Sequence, residues 1–469
     1  MALFEKGEEK MTKNLVYDIH ERPKFTQLII FALQQLLAIV AATIAVPAQI
    51  GNGMTASAAL FGAGIGTLVY QLFTKFRSPV FLGSSFAFIG PMSAAFAGAA
   101  SMSLGYLGLV IGAFFGGLVY VVISLVIKLA GINWINKIMP PVVIGPTVAL
   151  IGLSLSSAAV NYVFSYGPVT KDGEFIMTTG AWVSMICALV TFFVVILCST
   201  YGKKMAKLIP FIIGVVAGYL TGLIFTVIGY AAGLDALKII DLSHFTDLVA
   251  NGVNLETFFT IPEFSFLEAL KGVKDFDAGY LAKIFAAYVP VAFVVFAEHI
   301  ADHKNLSSII GEDLIENPGL NRTLLGDGVG SMVGAFFGGC PNTTYGESVS
   351  CIAITRNASV VTITTTAIMA MIVSFVSPLV AFLDSIPGCV MGGVCITLYG
   401  FIAVSGLKML QPVDLNDNRN LFVVAAILVC GIGGLPLKFG PVEISAIATA
   451  LILGIIVNVV FNRRGNEKA

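Results

Sequence analysis

Carboxylates within apolar stretches are the residues of this chain best suited to chemistry. In "FVVFAEHIADHKN", Glu298 and Asp302 are four residues apart, which places both on one face of a helix. The stretch "LLGDGVGSMVGAFFGG" carries Asp327, and "GCPNTTYGESVSCIAIT" carries Glu347 among Thr, Ser and Gly residues. Ionisable residues are costly in such segments, and burial penalises their charged form, so these carboxylates indicate ligand binding or proton transfer.

The ligand that suits this set of residues is planar and neutral. Carboxylates accept hydrogen bonds, backbone N–H groups donate them, and no Lys or Arg lies at the same depth to pair with an anion. Phe86 and Tyr345 offer aromatic faces for stacking. A nucleobase, with both N–H donors and carbonyl acceptors, fits this description. His299 and His303 lack a convincing third ligand, so no metal site is expected. The sequence also offers no nucleophile–base pair, so we do not expect an enzyme.

Several ionisable residues in these stretches have more than one interpretation. His303 precedes Lys304 and is expected to be solvated at the cytoplasmic boundary, whereas His299 is expected to be a hydrogen-bonded core histidine. Asp327 either accepts a hydrogen bond between two packed segments or takes part in proton transfer. Asp302 either has a structural role, as a capping or water-facing residue, or carries a proton.

The composition places these residues in an integral membrane protein. Of the 469 residues, 57% are hydrophobic and 11% are charged, against about 25% charged residues in soluble domains, and the mean hydropathy is +0.92. The seven cysteines are scattered through apolar runs and are interpreted as packing residues. The net charge of −1 gives no indication of nucleic acid as a partner. The expected partner of most of the surface is the lipid bilayer.

The apolar runs predict an all-α polytopic protein with fourteen transmembrane segments. A spanning helix needs about 20 apolar residues. Clear runs lie near 26–49, 54–74, 104–130, 139–160, 180–199, 208–232, 279–301, 357–383, 387–407, 419–436 and 441–461. Shorter or more polar runs lie near 80–100, 323–339 and 341–355. Numbered in chain order, segments 3 and 10 (80–100 and 341–355) are the irregular ones.

The positions of the basic residues support this count. With fourteen segments and both termini in the cytoplasm, 20 of the 26 Lys and Arg residues lie on the cytoplasmic side. Cytoplasmic loops of membrane proteins carry such an excess. Removing one segment from the middle of the chain would move several basic clusters, among them Lys203, Lys204 and Lys207, to the other side. The prediction is a multi-pass protein of the cell membrane with cytoplasmic N and C termini.

Segments 3 and 10 occupy the same place in two successive sets of seven segments. Each has paired hydroxyl residues, Ser84–Ser85 and Thr343–Thr344, followed by an aromatic residue and a short apolar run. Because seven is odd, the second set is inverted relative to the first, and paired interrupted segments of this kind mark transporter sites. We expect short strands that pair with each other, followed by half-helices whose N termini point to one site that includes Ser85. The alternative is that 341–355 is a loop.

Five motifs carry a resemblance to a known family. They are "LGSSFAFIGP", "VVFAEHIADH", "DLIENPGL", "FFGGCPNTTYGES" and "VMGGVCITLYG". With them the chain resembles the nucleobase–ascorbate transporter family, and most closely its bacterial uracil permeases, from "FALQQLLAIVAATIAVP" to the last segment. The resemblance implies two inverted sets of seven segments and a homodimer. In each chain a core domain would move against a gate domain, as in an elevator.

The resemblance also implies where the domains lie. Segments 1–4 and 8–11 would form the core domain, and segments 5–7 and 12–14 the gate domain. The implied boundaries are 1–24 for a cytoplasmic tail, 25–130 and 279–384 for the core domain, 131–232 and 385–462 for the gate domain, 233–278 for an extracellular loop and 463–469 for a second cytoplasmic tail.

Individual residues match the binding site of the family. Glu298 matches the carboxylate of segment 8 that binds the base, and Glu347 matches the carboxylate of segment 10 that binds its other edge. Tyr345 and Gly346 would supply backbone groups beside Glu347, and Phe86 matches the aromatic residue of segment 3. The implied ligand is therefore a small nucleobase.

Proton coupling is the second property that the resemblance implies. Tyr399 matches a gate tyrosine near the proton network, and Asp302, Glu298 and Asp327 are the candidate proton carriers. No cofactor is expected; H⁺ is the expected coupling ion, and Na⁺ remains an alternative. The chain departs from the family at several positions. At Gln35 and Asp302 a uracil permease of the family has His, and at Cys395 it has Ser. Ser348 and Ser350 stand where the family signature usually has Asn and Gly.

Three transported substrates remain possible at this point. The leading prediction is a proton-coupled uracil importer, because many xanthine and urate carriers have Gln at the position of Glu347. Xanthine or another purine is the alternative, since Asp327 resembles the Asp of purine-transporting members. An anion carrier of the same fold, similar to sulfate or bicarbonate transporters, would need a basic residue at the site.

Overall fold

The computed structural model describes residues 15–166, 170–171, 174–203, 205–250, 252–439 and 442–465. The expected tails at 1–24 and 463–469 lie partly outside these residues, and Lys204 lies wholly outside them. The α-helices of the first half are α1 Phe25–Ile50, α2 Ala56–Phe73, α3 Ile89–Ala97, α4 Met102–Ala130, α5 Asn133–Ile138, α6 Pro141–Ser154, α7 Ser156–Val163, α8 Thr179–Tyr201, α9 Met205–Leu208 and α10 Pro210–Ala232.

The second half is also mainly helical. Its α-helices are α11 Ser243–Thr246, α12 Ser265–Lys271, α13 Ala278–Ile310, α14 Leu320–Gly338, α15 Gly346–Thr355, α16 Val360–Val373, α17 Ser377–Asp384, α18 Gly388–Lys408, α19 Asn418–Ile432 and α20 Ala446–Gly465. The strands are β1 Leu82–Ser84, β2 Thr170–Lys171, β3 Glu174–Phe175, β4 Asn342–Thr344, β5 Leu437–Phe439 and β6 Val442–Ile444. Short 3₁₀ helices span Phe86–Phe88, Asp235–Leu237, Asp247–Val249 and Gly272–Asp275, and a π-helical turn spans Ile315–Gly319.

The helices make this chain a multi-pass membrane protein. Within the described ranges, eight helices are long and apolar enough to cross a bilayer, namely α1, α2, α4, α8, α10, α13, α18 and the joined pair α6–α7. Four shorter apolar helices span Phe86–Ala97, Val360–Val373, Asn418–Ile432 and Ala446–Phe461. The prediction of a helical polytopic membrane protein is therefore confirmed.

Several helix boundaries differ from the predicted ones. Helix α13 runs to Ile310 instead of ending near 301, and its C-cap is Gly311, a left-handed residue with φ 75°. The predicted eleventh segment is divided into α16 and α17, and the β5–β6 hairpin separates α19 from α20. Apolar runs mark the stretch that prefers lipid, whereas a helix continues past a charged residue such as Lys304 until a cap ends it.

An antiparallel pair of short strands lies at the centre of the fold. Strand β1 pairs with β4 in the register Leu82 to Thr344, Gly83 to Thr343 and Ser84 to Asn342. All six of these residues are buried. The Ser85 N–H donates to the Pro341 carbonyl at 2.9 Å, which extends the ladder. Where the helical hydrogen bonds are interrupted, the strands satisfy each other's backbone groups, as the apolar interior requires.

The helices pack most extensively within two groups. In one group, α14 packs against α2 and α4, α16 packs against α1 and α2, and α13 packs against α4. In the other, α18 packs against α6 and α8, α10 packs against α8, and α19 packs against α6 and α20. Fewer contacts join the groups, mainly those of α13 with β6, α6 and α20, and of α1 with α10 and α18.

Candidate functional site

Each central strand leads into the N terminus of a helix. Strand β1 is followed by the 3₁₀ turn Phe86–Phe88 and α3, and β4 is followed by α15. The first N–H groups of a helix have no partner within it. The Tyr345 N–H, just before α15, donates to the Phe81 carbonyl at 3.2 Å, so it is already used. Of the two expected backbone donors, Gly346 is therefore the one at the open first turn of α15.

A pocket lies beside this helix start. It encloses about 500 Å³ of empty space, which includes the open space at its mouth. Its walls come from the 3₁₀ turn, α13, β4 and α15 on one side and from α6 and α18 on the other. The lining residues are Phe86, Val148, Glu298, Ala301, Asp302, Thr343, Thr344, Tyr345, Gly346, Glu347, Phe401, Ile402 and Ser405.

Three carboxyl groups meet in this pocket with different surroundings. Asp302 accepts a hydrogen bond on Oδ2 from the Thr344 hydroxyl at 2.7 Å, which ties α13 to β4. Glu298 has a buried Oε2 without a hydrogen-bond partner. Glu347 is 8% exposed and lies in the first turn of α15. The structure therefore leaves acceptor capacity on Glu298 for a ligand that donates an N–H.

The aromatic residues of the site contribute in different ways. The Phe86 ring lies edge-on to the Tyr399 ring, with centroids 5.3 Å apart and planes at 82°. The Tyr345 hydroxyl donates to the Ser84 carbonyl at 2.9 Å. The Tyr345 ring lies against Gly83, where an added Cβ would come within 2.2 Å of ring carbons. Tyr345 is 3% exposed, so its ring packs inside the paired strands β1 and β4, which we call the strand crossing.

Three residues expected at the site do not line the pocket. Ser85 is fully buried, and its hydroxyl has no partner. Tyr399 accepts a hydrogen bond from the Gln49 amide and stands behind Phe86. The Asp327 Oδ2 lies 2.6 Å from the His299 Nδ1, so this carboxyl joins α14 to α13.

The histidines of α13 are both buried. The ring nitrogens of His299 contact Asp327 and the Thr323 hydroxyl, the latter at 3.0 Å, as expected of a core histidine. The expectation that His303 is solvated is wrong, because its side chain is 0% exposed. Its Nδ1 lies 2.8 Å from the His299 carbonyl and its Nε2 lies 2.8 Å from the Tyr70 hydroxyl. Since α13 continues to Ile310, residue 303 is inside the helix bundle.

Two of the departures from the family pattern are hydrogen-bonded to each other. The Gln35 amide donates to the Ser348 hydroxyl oxygen, and the same oxygen accepts the Phe81 N–H at 3.3 Å. Cys395 accepts a hydrogen bond from Gln49 at 3.2 Å. These residues connect α1 to α15 and α18, outside the pocket lining.

The pocket also contains residues that sequence reasoning missed. Val148 comes from α6, and Phe401, Ile402 and Ser405 come from α18. Apolar residues are common in both helices, so composition contains no signal that these four residues line the pocket. Thr344 was noted as half of a hydroxyl pair, and the signal for its role is its place directly before Tyr345.

The fold and the pocket together define a membrane transporter. Interrupted segments that meet at a carboxylate-lined pocket are typical of that class. Two solved structures share the fold. The transmembrane domain of a cyanobacterium bicarbonate transporter, BicA, matches with a TM-score of 0.59 and 16% identity over 94% of this chain and 100% of that one. Murine Solute Carrier 26 family member A9, an anion transporter in the inward-facing state, matches with a TM-score of 0.60 and 12% sequence identity. This match covers 95% of this chain and 69% of the murine one.

Sequence comparisons identify the family. A family model for xanthine/uracil permeases, described as a permease family, matches residues 26–438. The uracil permease of Bacillus caldolyticus is 40% identical over 96% of this chain and 95% of its own length. The uracil permease of Bacillus subtilis is 38% identical over 94% of this chain and 93% of its own length. That of Escherichia coli K12 is 33% identical over 96% of this chain and 95% of its own length. The chain belongs to this nucleobase–ascorbate transporter family and is a permease, not an enzyme.

Proposed function

We propose that this protein carries uracil into the cell together with protons. The observation that supports this proposal most strongly is the pocket itself. It combines Glu298, Asp302 and Glu347 with an open helix N terminus, and none of its lining residues is Lys or Arg. The chain that holds this pocket is 40% identical to a protein named uracil permease.

The chemistry of the pocket matches the edges of the base. Uracil alternates N–H donors with carbonyl acceptors around most of its ring. In our proposal Glu298 and Glu347 accept ring N–H groups, and the Gly346 N–H donates to a carbonyl oxygen. The Phe86 ring covers one face of the base.

Transport would proceed by movement of a core domain against a gate domain. The eight long apolar helices, the four shorter ones, α14 and α15 support a count of fourteen segments. In our proposal these segments form two inverted sets, with both termini in the cytoplasm. The two packing groups of helices support the proposed core (25–130 and 279–384) and gate (131–232 and 385–462). Contacts such as that from the Tyr162 hydroxyl to the Ala48 carbonyl would break in each cycle. A homodimer with apposed gate domains would hold the gates still in the membrane.

Proton coupling is assigned to the carboxyl groups of the pocket. Glu298 and Asp302 lie one helical turn apart, and two carboxylates so close favour a shared proton. Tyr399 would act through Gln49 and Phe86, at the boundary between α1, the 3₁₀ turn and α18. Na⁺ as the coupling ion is the alternative, and it would make accumulation depend on a sodium gradient.

Two other substrates fit the site less well. Asp327, which resembles the Asp of purine-transporting members, contacts His299 and does not line the pocket. An anion would meet three carboxyl groups without a cation among the lining residues. The likeness to anion transporters concerns the fold alone, because the identities are 16% and 12%.

One titration tests the proposed substrate. Purified, monodisperse protein is titrated with uracil, xanthine and sulfate at equal concentrations, and binding is followed by calorimetry. We expect saturable uracil binding that is at least tenfold tighter than xanthine binding, and no sulfate binding. Tighter binding of xanthine would reassign the protein to the purine carriers, and sulfate binding alone would reassign it to the anion carriers.

A further inference from the structure

The pocket has two walls of opposite chemistry. The wall from α13, β4 and α15 carries three carboxyl groups and the hydroxyls of Thr343 and Thr344. The facing wall comes from α6 and α18 and consists of Val148, Phe401 and Ile402, with Ser405 as its one hydroxyl among the lining residues. A ligand that fills this space meets hydrogen-bonding groups on one side and hydrocarbon on the other.

The apolar wall is built as one rigid unit. A Cβ added to Gly152 of α6 would lie 2.2 Å from the Tyr399 carbonyl oxygen, and one added to Gly406 of α18 would lie 2.2 Å from the Ala149 nitrogen. The two helices therefore touch backbone to backbone on both sides of the wall. On α18, Ile402 lies between the two contact positions Tyr399 and Gly406. On α6, Val148 lies between Gly152 and Gly145, where an added Cβ would lie 3.0 Å from the Gly406 carbonyl oxygen. Their spacing is set by the packing of the helices rather than by flexible side chains.

Uracil has a matching division between its two sides. N1, O2, N3 and O4 form hydrogen bonds, whereas C5 and C6 carry only hydrogen. Once the polar edge of the base contacts the carboxyl wall, the C5–C6 edge faces Val148 and Ile402. Both side chains are β-branched and have few rotamers, so they yield little to an added methyl group.

We infer that Val148 and Ile402 are specificity residues that contact the C5–C6 edge of uracil and exclude bases with a methyl group at C5, such as thymine. This inference rests on the proposed transport of uracil. Neither residue forms a hydrogen bond with the base; each sets the space beyond its apolar edge. Hydrophobic pockets discriminate a single methyl or methylene group by about 10–200-fold, which sets the size of the effect.

The test compares the binding of uracil and thymine to Val148→Ala, Ile402→Ala and the parent protein. The control is Val404→Ala, which removes the same atoms as Val148→Ala from a residue of α18 that is 51% exposed and does not line the pocket. We expect the parent to prefer uracil by at least tenfold. Each pocket variant should narrow the ratio of the thymine Kd to the uracil Kd by about tenfold, and the control should keep it.

The possible failures are distinct. A parent that binds thymine as tightly as uracil would overturn the inference, and so would a ratio within twofold of the parent in both pocket variants that still bind uracil. If neither the parent nor any variant binds uracil, the proposed function itself fails. A melting temperature measured for each variant shows whether a loss of both ligands comes from unfolding.

Discussion

At the scale of single residues, three neighbouring carboxyl groups differ in what already holds them. Asp302 is tied by the Thr344 hydroxyl, Glu347 lies at the start of a helix, and Glu298 has an oxygen with no partner. An unpaired acceptor in a buried position costs free energy until a donor arrives. The geometry therefore favours Glu298 and Glu347 as the carboxyl groups that contact the proposed ligand. It favours Asp302 as the carboxyl group whose protonation depends on its neighbours.

Glu347→Gln should weaken uracil binding about ten- to a hundredfold. The change keeps the shape of the side chain but turns one acceptor oxygen into a donor that faces the ring N–H. Losing a charged hydrogen-bond partner costs about 1.5–3 kcal/mol, which corresponds to this range of Kd. Calorimetric titration of purified protein measures the change. Glu298→Gln should lose at least as much, whereas Glu263→Gln, an exposed loop residue, should bind as the parent does.

Asp302→Asn should uncouple transport from the proton gradient. Asn still accepts the Thr344 hydroxyl hydrogen bond, so the geometry is retained while the group that takes up a proton is removed. In proteoliposomes, accumulation of uracil driven by a pH gradient should fall, and exchange of internal for external uracil at equal pH should persist. Asp247→Asn, at an exposed residue of the 3₁₀ helix Asp247–Val249, is the control. A variant that concentrates uracil as well as the parent would assign the proton to another residue.

At the scale of elements, the strand crossing positions the residues of the candidate site. Strands β1 and β4 hold the 3₁₀ turn and α15 at fixed positions, and Tyr345 closes the crossing over Gly83. Any side chain at residue 83 would meet the Tyr345 ring, whose hydroxyl is held by the Ser84 carbonyl. The position of Glu347 thus depends on a residue that does not line the pocket.

Gly83→Ala should reduce both uracil affinity and thermal stability. Inserting a methyl group into a filled contact costs about 1–3 kcal/mol, and displacement of Tyr345 would shift the first turn of α15. Gly90→Ala is a matched control, because a Cβ there has no atom within 4 Å. Melting temperature and uracil Kd of the purified variants measure the two effects. If Gly83→Ala behaved like Gly90→Ala, the close contact at the crossing would not matter for binding.

At the scale of the whole molecule, the arrangement of the segments decides which loops face the cytoplasm. The proposed topology places the loop between α8 and α10 inside and the loop from 233 to 278 outside. Exposed cysteines introduced into these loops report the side directly, because an impermeant thiol reagent reaches only the outer one. Lys203 and Val253 are both exposed and suit this purpose.

Lys203→Cys should resist an impermeant maleimide added to intact cells, and Val253→Cys should react. The native cysteines are buried or half-buried within the described residues, so parent protein gives the background. Permeabilised cells supply the positive control, in which both variants should be labelled. Rapid labelling of Lys203→Cys in intact cells would contradict the proposed fourteen-segment arrangement.

The sequence by itself determined the class of protein and the residues of the polar wall. Long apolar runs and the scarcity of charge permit only a membrane protein. Glu298, Asp302 and Glu347 were recognisable because a carboxyl group in an apolar segment is rare and costly. The pairing of β1 with β4 was expected for the same kind of reason, since interrupted helices leave backbone groups that need partners.

Only the tertiary structure decided which side chains line the pocket and which pack against other helices. His303 looked solvated beside Lys304, yet α13 continues and turns His303 towards Tyr70. Asp327 had two interpretations from the sequence, and the packing of α14 directs it to His299, in agreement with the one in which it accepts a hydrogen bond between two packed segments. Val148 and Ile402 resemble the apolar residues around them in the sequence. Their position depends on how α6 and α18 dock at Gly152 and Gly406, and such long-range packing is not encoded in local composition.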